Sequence, residues 1–519
     1  MLKKLSVDVS SFQKMRELNY VYIDKTQYAY NLITGGHRYF LSRPRRFGKT
    51  LFVSTLSDIL AGNKHLFDGL WIAGSDYQWQ EYGVINLDLS SLGIKDPASL
   101  RSGLWHALVI IAQEYRVTID TSSSEPEIIL TYLVKALYAK FGRVALLIDE
   151  YDSPILHVLT DLENARAIRD ALKLFFSSVK KFEKEIDFIF ITGVSSFAKA
   201  GLFSGLNNLQ ILSLRDDVAG VCGYTELEID TFLAPYIIQW AEKEGISYVD
   251  LRHKIKEWYN SYRFGDKVEA VYNPFSLTNA IYLKKFSNFW FASGAPTFLI
   301  DVLKKEYATF NPQKMEISDS DMGVFDVGLT PVLSLMLQTG YLTIDYYDQE
   351  TEMYKLRFPN LEVKTAFQRY LLEIFARIDP FEAQRLAGRL RAALLHDDIE
   401  EVVAKLQQLF AKVPYQLHMN VEKYYHSLLI MAFSASGIKV QDEYSTDDGR
   451  VDLVLDLGNK IYLIEVKFNK SAHEALEQIK NNRYFKPFLD WNKPIVMLGL
   501  SFEREPGNFE IKYQAESLK

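Results

Sequence analysis

Two rhythms alternate along the chain. Up to about residue 225, short apolar runs alternate with stretches whose hydrophobic residues recur every three to four positions, the pattern of an α/β domain. Residues 20–26 alternate in polarity and lead into a helix over 27–33. Tyr39, Phe40 and Leu41 make an apolar run, a polar loop follows, and residues 51–56 return to helical spacing, which predicts strand, tight loop, helix. Residues 83–89 predict a strand, with helices after it around 100–115 and 127–140. At 144–148 five apolar residues in a row predict a fully buried strand, and parallel sheets place ligand chemistry at the carboxyl ends of such strands. Two more strands are expected at 187–193 and 209–214.

From about 226 to 410 the pattern is mainly helical, broken by Asn-Pro and Gly turns. Residues 231–243 read as one amphipathic helix whose stripe (Phe232, Leu233, Tyr236, Ile237, Trp240, Ala241) faces a core. Between 329 and 357 the pieces 340–346 and 353–358 predict a short hairpin, for which a winged-helix-like module is one reading. Pro359-Asn360 marks a break, and helical patterning returns over 363–378 and 399–410. The remainder predicts a helix containing Glu422 and His426, strands at 438–444, 450–455 and 461–468 around a polar turn at 445–449, and a helix through Glu474, Leu476, Gln478 and Ile479. The expected segments are 1–225, 226–410 and 411–519, within the three or four domains that 519 residues allow.

Composition narrows the class. A hydrophobic content of 48% with 14% aromatic residues suits real cores and argues against disorder. A formal charge of -7 neither demands nor excludes a nucleic-acid partner, so any basic groove must be local. The single cysteine, Cys222, rules out an internal disulfide framework and points to a reducing cytoplasm; its ordinary reading is a small buried hydrophobe. No run of eighteen apolar residues occurs, and no apolar core follows the N-terminal lysines, so a soluble, unsecreted chain without membrane contact is expected.

The loop at 42–50, Ser-Arg-Pro-Arg-Arg-Phe-Gly-Lys-Thr, carries the first chemistry. Backbone N–H groups of such a loop and the following helix N-terminus converge on a phosphate, Lys49 reaches the outer phosphates, and the Thr50 hydroxyl can ligate magnesium. The usual glycine five residues before the Gly48-Lys49 pair is replaced by Arg43. Arg46, Gly48, Lys49, Thr50 and Asp149 form the expected nucleotide-binding set. At the end of the 144–148 strand, Asp149 would hold the metal and Glu150 would orient or deprotonate the water attacking the γ-phosphate. After the next strand, the hydroxyls of Thr192, Ser195 and Ser196 are γ-phosphate sensors or turn caps. Arg263 is a phosphate contact from outside the loop or a turn arginine stacked on Tyr262, and Arg215 is a candidate arginine finger.

The last hundred residues carry the second chemistry. On neighbouring strands Asp452 and Glu465 can point to one side, and period-two alternation puts Lys467 on the same face as Glu465. Two converging acids call for a metal to neutralise them; magnesium suits oxygen ligands, and its waters can hydrolyse a phosphodiester. Lys467 would then stabilise the developing phosphorane charge or position the attacking water. The bland alternative is a surface strand of alternating charge.

The strings 22–26 (Tyr-Ile-Asp-Lys-Thr), 41–50, 147–152 (Leu-Ile-Asp-Glu-Tyr-Asp), 201–208, 222–226, 258–265 and 271–276 together resemble a family of predicted bacterial AAA-type ATPases. The arginine at position 43 belongs to that family's pattern. Asp452, Glu465 and Lys467 resemble the PD-(D/E)XK nuclease superfamily, whose helix-borne acid would correspond to Glu422 and whose later polar position to Gln478; His426 lies one turn beyond Glu422. These resemblances imply a P-loop ATPase domain with a parallel sheet, a helical middle region and a C-terminal restriction-endonuclease-like α/β domain. ATP and Mg2+ are the implied cofactors and nucleic acid, DNA ahead of RNA, the implied partner, with a homo-oligomer left open. Two readings follow: an ATP-driven or ATP-regulated nuclease, or a nucleotide-dependent switch whose terminal domain binds nucleic acid or a protein without cutting.

Overall fold

The computed structural model describes residues 2–36, 38–196, 201–203, 206, 208–292, 315–322, 331–376, 378–411, 421–446, 449–505 and 508–518, with side chains throughout except at 292, 375, 421–424, 504, 505 and 508. Part of the 201–208 string, part of the 445–449 turn and the Glu422 side chain therefore lie outside the described residues.

The chain forms two compact units, Met1–Asn360 and Leu361–Lys519, a different grouping from the three expected segments. The reason lies in shared cores. Ile23 packs with Ile229, Ile237, Trp240, Leu251, Tyr259 and Leu277, so the helices after 226 complete a core that the N-terminal segment begins. The Lys25 ammonium fastens the same join by donating to the Gly220 carbonyl and, at 2.5 Å, to Glu228. In the second unit, the Tyr462 hydroxyl donates to Leu394 O at the end of helix Pro380–Leu395, so helices before residue 411 belong to the terminal sheet.

The first unit is built on a parallel sheet of β1 (Arg38–Ser42), β2 (Gly83–Asp88), β3 (Val144–Asp149), β4 (Ile186–Gly193) and β5 (Gln210–Ile211), in the order β2-β3-β4-β1-β5. All six residues of β3 are buried, as its unbroken apolar run predicts. β5 is shorter than expected, because the Ser213 hydroxyl turns to Ser42 and Arg215 N closes a turn on Leu212 O. The expected helix over 231–243 is two, Glu226–Phe232 and Ala234–Glu244; Pro235 has no N–H to continue the first and suits the opening turn of the second. The expected hairpin is present as β7 (Thr343–Asp348) and β8 (Met353–Arg357), with β6 (Glu316–Ser318) on the other side of β8.

The second unit carries β9 (Lys439–Thr446), β10 (Gly449–Asp456), β11 (Ile461–Phe468), β12 (Ile495–Glu505) and β13 (Asn508–Leu518), each paired with the next. Only β11 and β12 run parallel, joined through helix Ala472–Asn481. Val451, Val454, Leu463 and Met497 pack with Leu476 and Ile479 of that helix. No helix among the described residues is long and apolar enough to cross a membrane.

Candidate nucleotide and metal sites

The loop after β1 reaches the helix Lys49–Leu60 through Gly48, whose φ of 91° is open to glycine at little cost. Arg46 also takes a positive φ, 67°. Helix start and loop together direct N–H groups into one concavity. Arg43, where a glycine is usual, supports the loop from behind. Its guanidinium is 1% exposed, donates to the carbonyls of Ser42 (3.0 Å) and Ser213 (2.6 Å), and stacks 4.1 Å from the Phe264 ring. Burial lowers its pKa to about 10.

The Lys49 ammonium donates to Pro44 O (3.2 Å) and pairs with Glu150 Oε1 (3.1 Å). Asp149, paired in register with Asp88 of β2, is pushed up to about 6, first by burial and then by the Glu150 charge, against a hydrogen bond from Thr50. Lys49, Thr50, Asp149 and Glu150 are thus brought together at the carboxyl end of β3. Thr50 and Asp149 offer oxygen donors beside a cationic loop, a set that fits magnesium and a nucleotide phosphate.

The hydroxyls after β4 separate into two roles. Ser195 N–H and Oγ donate to Asp152 (2.7 and 2.5 Å), so Ser195 locks the turn. Ser196 N–H donates to Gln338 Oε1. Thr192 is fully buried and its hydroxyl has no partner among the described residues. Arg46 is exposed, 4.8 Å over the Phe275 ring. Arg215 is exposed and held by Asp217. Arg263 donates through its backbone N–H to Thr343 Oγ1 and through Nη1 to Asp345 O, which draws it toward β7.

One tether and one cavity here have no local signal in the sequence. Asp152, which ties β3 to β4, reads as one more loop acid. A cavity of about 60 Å³ behind Gly48 is lined by Leu5, Tyr22, Val221, Cys222 and Thr278, residues too far apart in sequence to give a local signal.

In the second unit, the register that pairs Leu453 with Ile464 sets Asp452 opposite Glu465. Asp452 Oδ2 accepts from Val466 N–H (2.8 Å), and Lys467 Nζ lies 3.0 Å from Glu465 Oε1. Glu465 is 2% exposed and its Oε2 has no hydrogen-bond partner among the described residues. Burial, then the charge of Asp452, pushes its carboxyl up to about 7 against the pull of Lys467. One lysine does not balance two converging acids, and an oxygen-seeking cation fits the site. No group of three or more acidic, histidine or cysteine ligands is found among the described residues, so such an ion would keep several waters.

Gln478 donates to the Tyr484 hydroxyl (3.3 Å), which also accepts from Asn482 (2.8 Å). Tyr484 went unnoticed in the sequence; its hydroxyl would sit 3.0 Å from a Cβ added to Gly449, at the start of β10. His426 faces Asp442 (3.3 Å) on β9. Asp442 pairs with Leu453, whose side chain alternates away from Asp452, so His426 lies on the other face of the sheet.

These two constellations define a P-loop nucleotide-binding unit and a unit with the acid-acid-lysine arrangement of a nuclease fold. Residues 6–203 match the family described as predicted AAA-ATPase, and residues 420–511 match the PD-(D/E)XK nuclease superfamily. A protein of Azotobacter chroococcum mcd 1, named only as an uncharacterized protein in the vnfD 5' region, is 36% identical over 517 residues, 97% of each chain. The structure of the Aeropyrum pernix ORC1 protein in complex with DNA aligns with 66% of this chain and 91% of that one, at 13% identity and a TM-score of 0.25. The chain belongs to the family of predicted AAA-ATPases that carry a C-terminal PD-(D/E)XK nuclease superfamily domain.

Proposed function

We propose that the protein hydrolyses ATP and couples this to magnesium-dependent cleavage of nucleic acid, DNA ahead of RNA. Residues 1–225 carry the hydrolysing site and 411–519 the nuclease site, and the helices of 226–410, each completing the core of one unit or the other, act as the relay. The observation that carries the reading is the buried Glu465 carboxylate facing half-buried Asp452, with Lys467 at 3.0 Å and a Glu465 oxygen that has no hydrogen-bond partner among the described residues. Magnesium, when bound, supplies the charge these acids lack and an acidified water. Val466 N–H fixes the Asp452 carboxylate, and Lys467 turns from Glu465 to a non-bridging oxygen of the scissile phosphate. In the first site, Lys49 leaves Glu150 for the outer phosphates, which releases Glu150 to orient the attacking water. Thr192, buried without a partner among the described residues, is the hydroxyl best suited to sense the γ-phosphate.

The test is cleavage of labelled single- and double-stranded DNA and RNA with magnesium, with and without ATP, in the parent chain and in Lys467→Ala. Cleavage lost in the variant while ATP turnover persists supports the reading. ATP turnover with no cleavage of any substrate by the parent overturns the nuclease and leaves the nucleotide-dependent switch.

A further inference from the structure

On the β5 side of the phosphate loop, away from Asp149 and Glu150, the first unit contains a cavity of about 260 Å³, just below the about 300–1,000 Å³ of sites for drug-sized ligands. Its walls are the loop shoulder at 42–44, the end of β5 and the turn after it, the Arg263-Phe264 turn, helix Val332–Thr339 and the start of β7. Much of the lining is apolar, and Ile211 and Leu214 stand there 42% and 40% exposed.

Two guanidinium groups among the walls are incompletely bonded. Arg43 gives Nη1 to the carbonyls of Ser42 and Ser213 and Nη2 to that of Val218, while its buried Nε has no acceptor among the described residues. Arg263 gives Nη1 to Asp345 O, and its buried Nε likewise has none among those residues. A buried donor without an acceptor is costly, and two such donors at one cavity suit an acceptor that arrives with a ligand. The lining charge agrees, with Arg43, Arg215 and Arg263 against Asp319, although Arg215 already pairs with Asp217.

We propose that this cavity binds a small amphipathic anion, with a flat or branched apolar body against Leu214, Phe264 and Leu337 and a phosphate or carboxylate toward Arg263 and Arg43. Its occupant touches the nucleotide site's own scaffold, because Ser42, Arg43 and Pro44 are at once cavity wall and loop shoulder. Pro44 in turn packs on Gly340 at the end of the helix that forms the opposite wall.

The experiment is calorimetric titration of the full chain with phenyl phosphate and with phenylacetate, beside inorganic phosphate and benzyl alcohol. At least one of the two aromatic anions should bind tenfold or more tightly than both controls, and the tighter of them identifies the anionic group. Leu337→Trp, which fills the cavity, and Arg263→Met, which removes the charge, should each weaken that binding at least tenfold. Arg263→Met should leave benzyl alcohol unchanged. Leu337 is only partly buried, and Leu214→Trp at the exposed mouth serves the same purpose if the first variant does not fold. Aromatic anions that bind no tighter than the controls, or that bind the filled and charge-free variants as well as the parent, overturn the proposal.

Discussion

Arg43 shows how one residue can serve a loop in place of another. A glycine there would let the backbone turn freely, but this loop is held by its own arginine, anchored on the carbonyls of Ser42, Ser213 and Val218 and on Phe264. Arg43→Gly restores a more general phosphate-loop sequence, yet it should destabilise the first unit by about 3 kcal/mol and weaken nucleotide binding, since carbonyls and an aromatic face lose their partner. Thermal unfolding with and without ADP checks both effects. Glu465 gives a prediction in pH. Its folded pKa, about 7, lies above the 4.5 of an ordinary glutamate. The protonated form is therefore favoured by folding: stability is highest below about 4.5, falls as pH rises between the two values, and is lower above 7 by roughly 3 kcal/mol. In EDTA, Glu465→Gln should unfold at a higher temperature than the parent at pH 8, with the gap narrowing toward pH 5, and magnesium should stabilise only the parent. The acids and the lysine were legible from period two and strand adjacency. The anchoring of Arg43 was not, because its partners, Ser213, Val218 and Phe264, lie about 170 residues or more away.

At the scale of elements, helix Val332–Thr339 shows why tertiary packing escapes a reading by period. It ends at Gly340, whose φ is +89° and where a Cβ would sit 2.7 Å from Pro44 Cβ. Only glycine lets that helix end approach the phosphate loop, and Trp290 holds the same loop by donating to Arg45 O (3.0 Å). Gly340→Ala should cost about 1–3 kcal/mol and displace Pro44, so nucleotide affinity should fall together with the denaturant midpoint. Equal nucleotide affinity in the two chains would mean that this contact does not shape the loop. In the sequence, Gly340 reads as the opening of a hairpin strand, although β7 begins only at Thr343. Strands with one unambiguous environment were legible, β3 by its unbroken apolar run and β11 by its full span, Ile461–Phe468. The hairpin of β12 and β13 went unread although its pattern is regular, since residues 495–502 form a mostly apolar run and 509–516 alternate apolar with polar, Glu510 and Lys512 taking polar positions. The helix over 231–243 was legible in its stripe and misread in its continuity, because a hydrophobic period does not register the N–H that Pro235 lacks.

At the scale of the whole molecule, the proposed coupling can be divided into its steps with residues of the first unit alone. Lys49 and Glu150 neutralise each other at 3.1 Å, and a nucleotide must part them. Lys49→Ala removes the group that would hold the outer phosphates, so it should abolish turnover and leave cleavage at the level seen without ATP. Glu150→Gln keeps a hydrogen-bonding side chain of the same shape but removes the base, so ATP should still bind while turnover falls by about 10²–10⁴-fold. If ATP binding is the signal, nucleic-acid cleavage by Glu150→Gln should match or exceed the ATP-stimulated parent. If each cycle of hydrolysis is required, it should fall to the level of Lys49→Ala. Steady-state ATPase rates, ADP and ATP affinities, and cleavage rates measured on the same three chains separate these outcomes. Identical cleavage by all three, at every ATP concentration, would show that the two units work independently.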